Sequence, residues 1–204
     1  MTLPSSSRLE RLPGYPLADV PRLRRELRAA GVDVIDLGAG DADLAPPPVA
    51  VEALQAAVTV PGMSRYPFQL GLPAFRESVA AFMKRRFGVE VDPSEELLPL
   101  IGSKEGIAHL AFALLDPGDV AVLPDPGYQA YRGGVVLAGA QHHTVPLRPE
   151  NDFLIPLGDL TADVRDRMRM LVLNYPNNPT TAEAPAAYFE EAIAFCRERG
   201  AALV

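Results

Sequence analysis

Apolar positions along the chain follow two alternating patterns, which predict helices and strands. Spacing of three and four residues over 72–87 places Phe75, Phe82 and Phe87 on one helical face, which we predict to be part of the core. We predict further helices over 22–30, 48–58, 103–115, 126–137, 159–168 and 184–199. Short apolar runs predict strands over 32–37, 96–101, 120–123, 142–146, 170–174 and 201–204. This alternation predicts an α/β fold with a mostly parallel sheet flanked by helices.

The two ends of the chain differ from its middle. Four prolines within the first 21 residues predict an extended or turning arm over 1–20. At the other end the sequence stops inside 201–204, an apolar run that is typical of a buried strand. Because a parallel sheet is covered on both faces, we expect a chain that is truncated within a larger domain.

The composition argues against several classes of function. A formal charge of −7 over 204 residues argues against nucleic-acid partners and anionic membranes. One cysteine and three histidines give no disulfide framework and no zinc site, so we expect no metal ligand. The chain has neither an 18-residue apolar run nor a secretory signal, and we expect a cytoplasmic protein. Only two of the 19 basic residues are lysines, Lys84 and Lys104.

Three segments that follow predicted strands carry candidate chemistry. The first segment is residues 102–106, with the sequence Gly-Ser-Lys-Glu-Gly, which begins a predicted helix. Backbone N–H groups and a hydroxyl at a helix N-terminus bind phosphate well. The simpler alternative is a turn in which Ser103 is the N-cap. Residues 174–180 offer amides that can donate to a phenolate or carbonyl oxygen, or form an ordinary Asn/Pro-rich loop. Residues 124–128 place Tyr128 at the same rim, as a ligand contact or as a surface ring. Ligands of open α/β sheets bind at the carboxyl ends of the strands.

Five features, taken in order, resemble the class I and II aminotransferases, which are fold-type I transferases dependent on pyridoxal 5′-phosphate. The features are 36–41, Tyr66, 102–106, 125–128 and 174–180. Within that family the chain is most similar to the branch that contains LL-diaminopimelate and aspartate/aromatic aminotransferases. The resemblance implies an enzyme that transfers an amino group between an amino acid and a 2-oxo acid. It extends over almost the whole chain but only about the N-terminal half of the family's length.

The resemblance implies cofactor contacts for four residues. Ser103 and Lys104 stand where the family binds the cofactor phosphate. Tyr128 matches the aromatic residue that stacks on the pyridine ring. Asn178 matches the amide that hydrogen-bonds the oxygen of the ring hydroxyl.

The resemblance also implies substrate and subunit contacts. Gly40 matches the glycine whose backbone contacts the substrate α-carboxylate, and Tyr15 approaches the substrate from the arm. Tyr66 matches the tyrosine that reaches the phosphate of the neighbouring subunit, which implies a homodimer with a shared site. We expect 1–45 to be an N-terminal arm and small-domain segment, and 46–204 to be the first part of the large cofactor-binding domain.

The chain departs from the family pattern at two positions, and it lacks the family's catalytic groups. Thr181 stands where glycine usually follows Asn-Pro-Thr, which we expect to be tolerated if φ stays negative, and Ala42 stands where proline is common.

The family's Schiff-base lysine, pyridine-nitrogen aspartate and carboxylate-binding arginine have no match. Lys84 lies in a charged run and Lys104 in the phosphate motif, so neither is expected to replace that lysine. We therefore predict no catalytic residue and an inactive 204-residue chain.

Other functions remain open on the same motifs. A C–S β-lyase or a cyclopropane-carboxylate synthase-like enzyme would use the same cofactor contacts. A non-catalytic remnant, or one half of a split gene, would keep the fold without the activity. The segment downstream in the gene would distinguish the split gene from the remnant.

The remaining polar and reactive residues suggest no further chemistry. Arg132 and Arg148 match no motif and are predicted to lie on the surface. His142 and His143 fall in or beside a strand without an evident carboxylate partner. Cys196 lies on an apolar helix face and is predicted to pack in the core.

Overall fold

The computed structural model describes residues 3–12, 14, 18–37, 40, 42, 44–66 and 70–204. The chain divides into two compact units: Met1–Gly14 together with Leu100–Val204, and Tyr15–Pro99. The division into 1–45 and 46–204 made from the sequence stays a prediction. None of the helices in the described ranges has the length and apolar character that crossing a bilayer requires.

From Val120 onwards helices and strands alternate as the sequence predicts, whereas the described residues before Val120 form helices without strands. The α-helices are α1 (Ser7–Glu10), α2 (Val20–Ala29), α3 (Pro48–Val58), α4 (Pro73–Phe87), α5 (Ser103–Leu114), α6 (Ala130–Ala138), α7 (Ala162–Arg167) and α8 (Ala186–Arg199). The strands are β1 (Val120–Asp125), β2 (Gln141–Pro146), β3 (Met168–Leu171) and β4 (Ala202–Leu203). Short 3-10 helices cover Pro149–Asn151 and Leu157–Asp159.

The unit that contains Leu100–Val204 is built on a parallel sheet. Its strands lie in the order β2-β1-β3-β4, and each neighbouring pair is parallel. The carboxyl ends of β1 and β3 therefore meet at one edge of the sheet. This architecture confirms the predicted α/β class.

Side chains that alternate along β1 divide the core of this unit into two clusters, one on each face of the sheet. Val120 and Val122 belong to the cluster that contains Tyr188 and Cys196 of α8. The intervening Ala121, with Leu123, belongs to the cluster that contains residues of α5 and α6. Cys196 is buried as predicted, and that burial raises the pKa of its thiol.

Two predicted strands are wrong within the described residues: 32–37 and 96–101 are irregular. Their apolar composition suits a strand, but a strand also needs a hydrogen-bonded neighbour. No described segment pairs with either run. Composition alone therefore misassigned them.

The predicted core position of three phenylalanines on α4 is also wrong for this chain. Phe75, Phe82 and Phe87 are each about half exposed, and α4 has no buried residue. The periodicity identified the helix correctly, and the helix ends at Gly88 in the left-handed conformation. No described element covers that apolar face.

A candidate cofactor site at the ends of the strands

The first part of the candidate site is the N-terminus of α5. Gly102 leads into the helix with φ of 143°, a conformation that favours glycine, and Gly102 rather than Ser103 is the N-cap. The N–H groups of Ser103 and Lys104 meet no hydrogen-bond acceptor among the described residues, as is usual in a first turn. Together with the Ser103 hydroxyl and the Lys104 ammonium they form a donor set suited to a phosphate.

The second part is the turn that follows β1. A Cβ at Gly127 would lie 2.5 Å from the carbonyl oxygen of Pro124, so the turn admits only glycine there. The Tyr128 ring packs edge-on against Tyr131 of α6, with ring centroids 5.8 Å apart. The Lys104 Nζ lies 5.7 Å from the centroid of the Tyr128 ring. The structure thus brings the lysine of the phosphate motif to the ring of the second motif.

The third part is the loop that follows β3. The backbone N–H of Asn178 donates to Oδ1 of Asn174 at 2.8 Å. Thr181 N–H donates to the Asn177 carbonyl at 2.7 Å, and Asn177 N–H donates to the Ala182 carbonyl at 2.8 Å, which closes the loop. Asn178 itself is exposed, and within the described ranges its side-chain amide makes no hydrogen bond. The amide is available to a ligand.

One buried side chain joins the second and third parts. Asn177 is 2% exposed, and its Nδ2 donates to Thr180 Oγ1 at 2.8 Å and, at a long 3.5 Å, to the Pro126 carbonyl. Its Oδ1 is buried without a partner among the described residues. Sequence reasoning missed this role. The available signal was the Asn-Asn doublet, in which one amide can point to a ligand while its neighbour points inward.

Aromatic side chains of α8 pack against Tyr175 in the same loop. Tyr175 donates its hydroxyl to the Phe153 carbonyl at 3.0 Å. Its ring meets Tyr188 and Phe189 of α8 edge-on, at centroid distances of 5.9 and 6.0 Å. Burial raises the pKa of Tyr175, so the hydroxyl stays protonated and remains a donor.

The structure corrects the expectation for Thr181. Its φ is +60°, not negative. The left-handed region is unfavourable for a β-branched residue, because its Cβ approaches the following carbonyl. The hydrogen bond from Thr181 N–H to Asn177 holds the residue in that conformation.

Replacing Thr181 by glycine is expected to stabilise the chain by about 0.5–1 kcal/mol, because relief of the left-handed strain outweighs the greater freedom of glycine in the unfolded state. Urea unfolding followed by circular dichroism measures this. The control is Thr180→Gly, which removes the hydroxyl that accepts from Asn177 and should destabilise. A loss of stability in both variants would contradict the assignment of strain to Thr181.

The residues predicted to contact substrate or a second subunit belong to the other compact unit or lie outside the described residues. Gly40 and Tyr66 fall in Tyr15–Pro99, where both are exposed, Tyr66 at 83%. Tyr15 lies outside the described residues. The roles of all three stay predictions.

The residues at the strand ends fit pyridoxal 5′-phosphate by their chemistry. The phosphate is suited by the N–H groups without an acceptor, the Ser103 hydroxyl and the Lys104 ammonium. The Tyr128 ring can stack on the aromatic ring of the cofactor, and the Asn178 amide can donate to an oxygen of that ring. No group of three or more metal-binding side chains occurs in the part of the chain that the structure describes.

Comparison with known proteins identifies relatives over nearly the whole chain. The family model described as aminotransferase class I and II matches residues 32–204. The LL-diaminopimelate aminotransferase of Desulforudis audaxviator (strain MP104C) is 45% identical over 200 residues, which is 98% of this chain and 51% of that relative. The chain therefore spans about half the length of the curated relatives it matches.

Solved structures agree with the sequence relatives. Apo-BacF from Bacillus subtilis has a TM-score of 0.91 and 37% identity, covering 99% of this chain and 52% of that one. A probable N-succinyldiaminopimelate aminotransferase from Thermus thermophilus has a TM-score of 0.82 and 40% identity, covering 90% of this chain and 50% of its own. These neighbours confirm the fold predicted from the resemblance.

Proposed function

Because the chain belongs to the class I and II aminotransferase family, we propose that it supplies the cofactor-phosphate and ring contacts of an enzyme that transfers an amino group between an amino acid and a 2-oxo acid. The observation that carries the proposal is the position of Lys104 Nζ, 5.7 Å from the Tyr128 ring, at the open first turn of α5. The family depends on pyridoxal 5′-phosphate. Binding of that cofactor by this chain is part of the proposal.

Each residue of the site has a distinct part in the proposal. Ser103 and Lys104 hold the phosphate dianion through N–H, hydroxyl and ammonium donors. Tyr128 fixes the plane of the ring, and the Asn178 amide donates to the ring oxygen and fixes its rotation. The bound cofactor supplies a ring that withdraws electrons from the substrate α-carbon.

Neither lysine of the chain is assigned to the catalytic role. Lys84 Nζ is 2.7 Å from the Glu90 carboxylate in the unit Tyr15–Pro99. Lys104 serves the phosphate. We therefore propose that the 204-residue chain binds the cofactor without performing transamination, because neither lysine matches the family's Schiff-base lysine, which moves the substrate proton.

The names of the relatives suggest the substrate class of the whole protein. One is named an LL-diaminopimelate aminotransferase and another a probable N-succinyldiaminopimelate aminotransferase. We propose a diamino dicarboxylic acid as the amino donor, a homodimer in which Tyr66 reaches the neighbouring site, and contacts from Gly40 and Tyr15 to the substrate. A cytoplasmic location is part of the same proposal.

Replacing Lys104 by glutamine is expected to weaken binding of pyridoxine 5′-phosphate about tenfold or more, because a charge-assisted hydrogen bond is lost. This probe lacks the aldehyde and cannot react with surface amines. Quenching of tyrosine emission measures the affinity, since the chain has no tryptophan. The matched control is Lys84→Gln, which should bind as the unchanged chain does.

Two outcomes would contradict the proposal. One is equal affinity for pyridoxine with and without its phosphate, which would mean that no phosphate site exists. The other is robust labelling of one lysine by pyridoxal 5′-phosphate and borohydride together with measurable transamination, which would overturn the predicted inactivity.

A further inference from the structure

A cavity lies at the end of the sheet opposite the candidate cofactor site. It has a volume of about 400 Å³ and is lined by Arg11, Arg132, Val136, Ala140, Gln141 and His142. Gln141 and His142 begin β2, whereas the candidate cofactor site follows the last residues of β1 and β3. Because the strands are parallel, the two sites occupy opposite edges of one sheet. The cavity therefore has no part in the function proposed above.

The cavity carries positive charge that no neighbouring carboxylate neutralises. Neither Arg11 nor Arg132 forms an ion pair with any described residue, and no acidic side chain lines the cavity. Arg11 uses only Nε, which donates to the Ser7 carbonyl at 3.3 Å. This leaves the terminal nitrogens of Arg11 and the whole Arg132 guanidinium as donors, on a chain whose net charge is −7.

The environment of the neighbouring histidine agrees with this charge. Burial lowers the pKa of His142, and the positive charge of Arg132 lowers it further. Its Nδ1 is buried without a hydrogen-bond partner among the described residues. The lowered pKa favours the neutral imidazole, so the positive charge of the cavity comes from the two arginines.

The side-chain amide oxygen of Gln141 already accepts a hydrogen bond within the protein. Its Oε1 accepts from Arg167 Nη1 at 3.0 Å, and Arg167 is paired with Asp163. The apolar part of the wall comes from Val136, which is buried, and from Ala140. The cavity thus combines two unpaired guanidinium groups with a small apolar surface.

We propose that this cavity binds a small organic oxyanion, in which a carboxylate or phosphate group lies between Arg11 and Arg132 and a short carbon chain contacts Val136 and Ala140. The volume is within the range of small-molecule sites. Arginine suits both oxyanion groups, because its planar guanidinium donates in pairs. A carboxylate and a phosphate both present anionic oxygens to the arginines, and they differ in the geometry of those oxygens.

The test follows binding of succinate and of inorganic phosphate by isothermal titration of the 204-residue chain, at constant ionic strength set with sodium chloride. We expect saturable binding of at least one anion, with a shift of the His142 ring signals in the NMR spectrum. Preference for succinate identifies a carboxylate site. Because inorganic phosphate can also bind the donor set of α5, only phosphate binding that weakens in Arg132→Gln is assigned to the cavity. Replacing Arg132 by glutamine should weaken the binding about tenfold or more.

The control variant separates a built site from general attraction of anions. Arg197 on α8 is exposed and lies outside the cavity, so Arg197→Gln removes the same charge at another place. We expect Arg197→Gln to bind as the unchanged chain does. Absence of saturable binding, or equal weakening in the two variants, would overturn the proposal. Both variants should keep the circular dichroism spectrum, because both side chains are exposed.

Discussion

Replacing Tyr188 by alanine is expected to lower the free energy of unfolding by about 3–5 kcal/mol, which is typical of deleting a large buried aromatic side chain. Tyr188 is 6% exposed within the cluster that packs α8 on β1 and β3. Its hydroxyl also accepts from Ile155 N–H at 3.2 Å and donates to the Ile155 carbonyl at 3.1 Å. The deletion leaves both a void and two unpaired backbone groups. Urea unfolding followed by circular dichroism measures the loss.

The conservative variant separates the two causes. Tyr188→Phe keeps the ring and removes the hydroxyl, so it should cost about 1–3 kcal/mol through the unpaired N–H and carbonyl of Ile155. A cost as large as that of Tyr188→Ala would contradict the argument, because packing would then contribute nothing. No cost at all would mean that water replaces the hydroxyl at Ile155.

The hydroxyl of Tyr188 also predicts a dependence on pH. Burial raises the pKa of Tyr188, whereas an unfolded tyrosine ionises at about 10. Above that pH the unfolded chain loses a proton that the folded chain keeps, so stability falls as the pH rises. Tyr188→Phe should reduce this alkaline fall. The raised pKa values of Tyr131 and Tyr175 predict that part of the fall remains.

Replacing Gly127 by alanine is expected to destabilise the chain by about 1–3 kcal/mol, the usual cost of forcing a methyl group into a filled space. The new Cβ would lie 2.5 Å from the Pro124 carbonyl oxygen and 2.9 Å from Pro124 Cγ. The backbone must shift, and the shift disturbs the position of Tyr128, the next residue in the chain. Urea unfolding gives the stability, and the affinity for pyridoxine 5′-phosphate should fall in the same variant.

A matched glycine provides the control. A Cβ at Gly133 meets nothing within 4 Å, and Gly133 lies inside α6. Gly133→Ala should therefore stabilise the chain by about 0.5–1 kcal/mol, because alanine favours the helix. Equal destabilisation by the two substitutions would show that the turn at Gly127 is not the cause.

The spacing of apolar residues and the positions of capping residues were enough to predict helices, whose backbone hydrogen bonds form between residues close in sequence. The helix predicted over 48–58 coincides with α3, and the predicted end of α8 at Arg199 is correct because Gly200 caps it in the left-handed conformation. The runs 32–37 and 96–101 could not be assigned the same way, because strand formation depends on a partner elsewhere in the chain. Likewise the apolar face of α4 predicted the helix correctly, but the predicted burial of that face is wrong.

The sequence predicted which segments form the candidate site but not how they are held. Lys104 and Tyr128 were identified from motifs, and the structure places them in contact. The inward role of Asn177 and the positive φ of Thr181 depend on the path of the loop backbone, which no spacing rule specifies. The cavity beside Arg132 depends on the packing of α1 and α6 near the start of β2.

The buried amide of Asn177 constrains how this chain can diverge or be engineered. Its hydrogen bond to Thr180 lies within the loop after β3, and its long 3.5 Å hydrogen bond to the Pro126 carbonyl joins that loop to the turn after β1. An insertion in either loop would separate the amide from one of its acceptors. Grafting a loop from a relative is therefore expected to retain this contact better when both loops are exchanged as a pair.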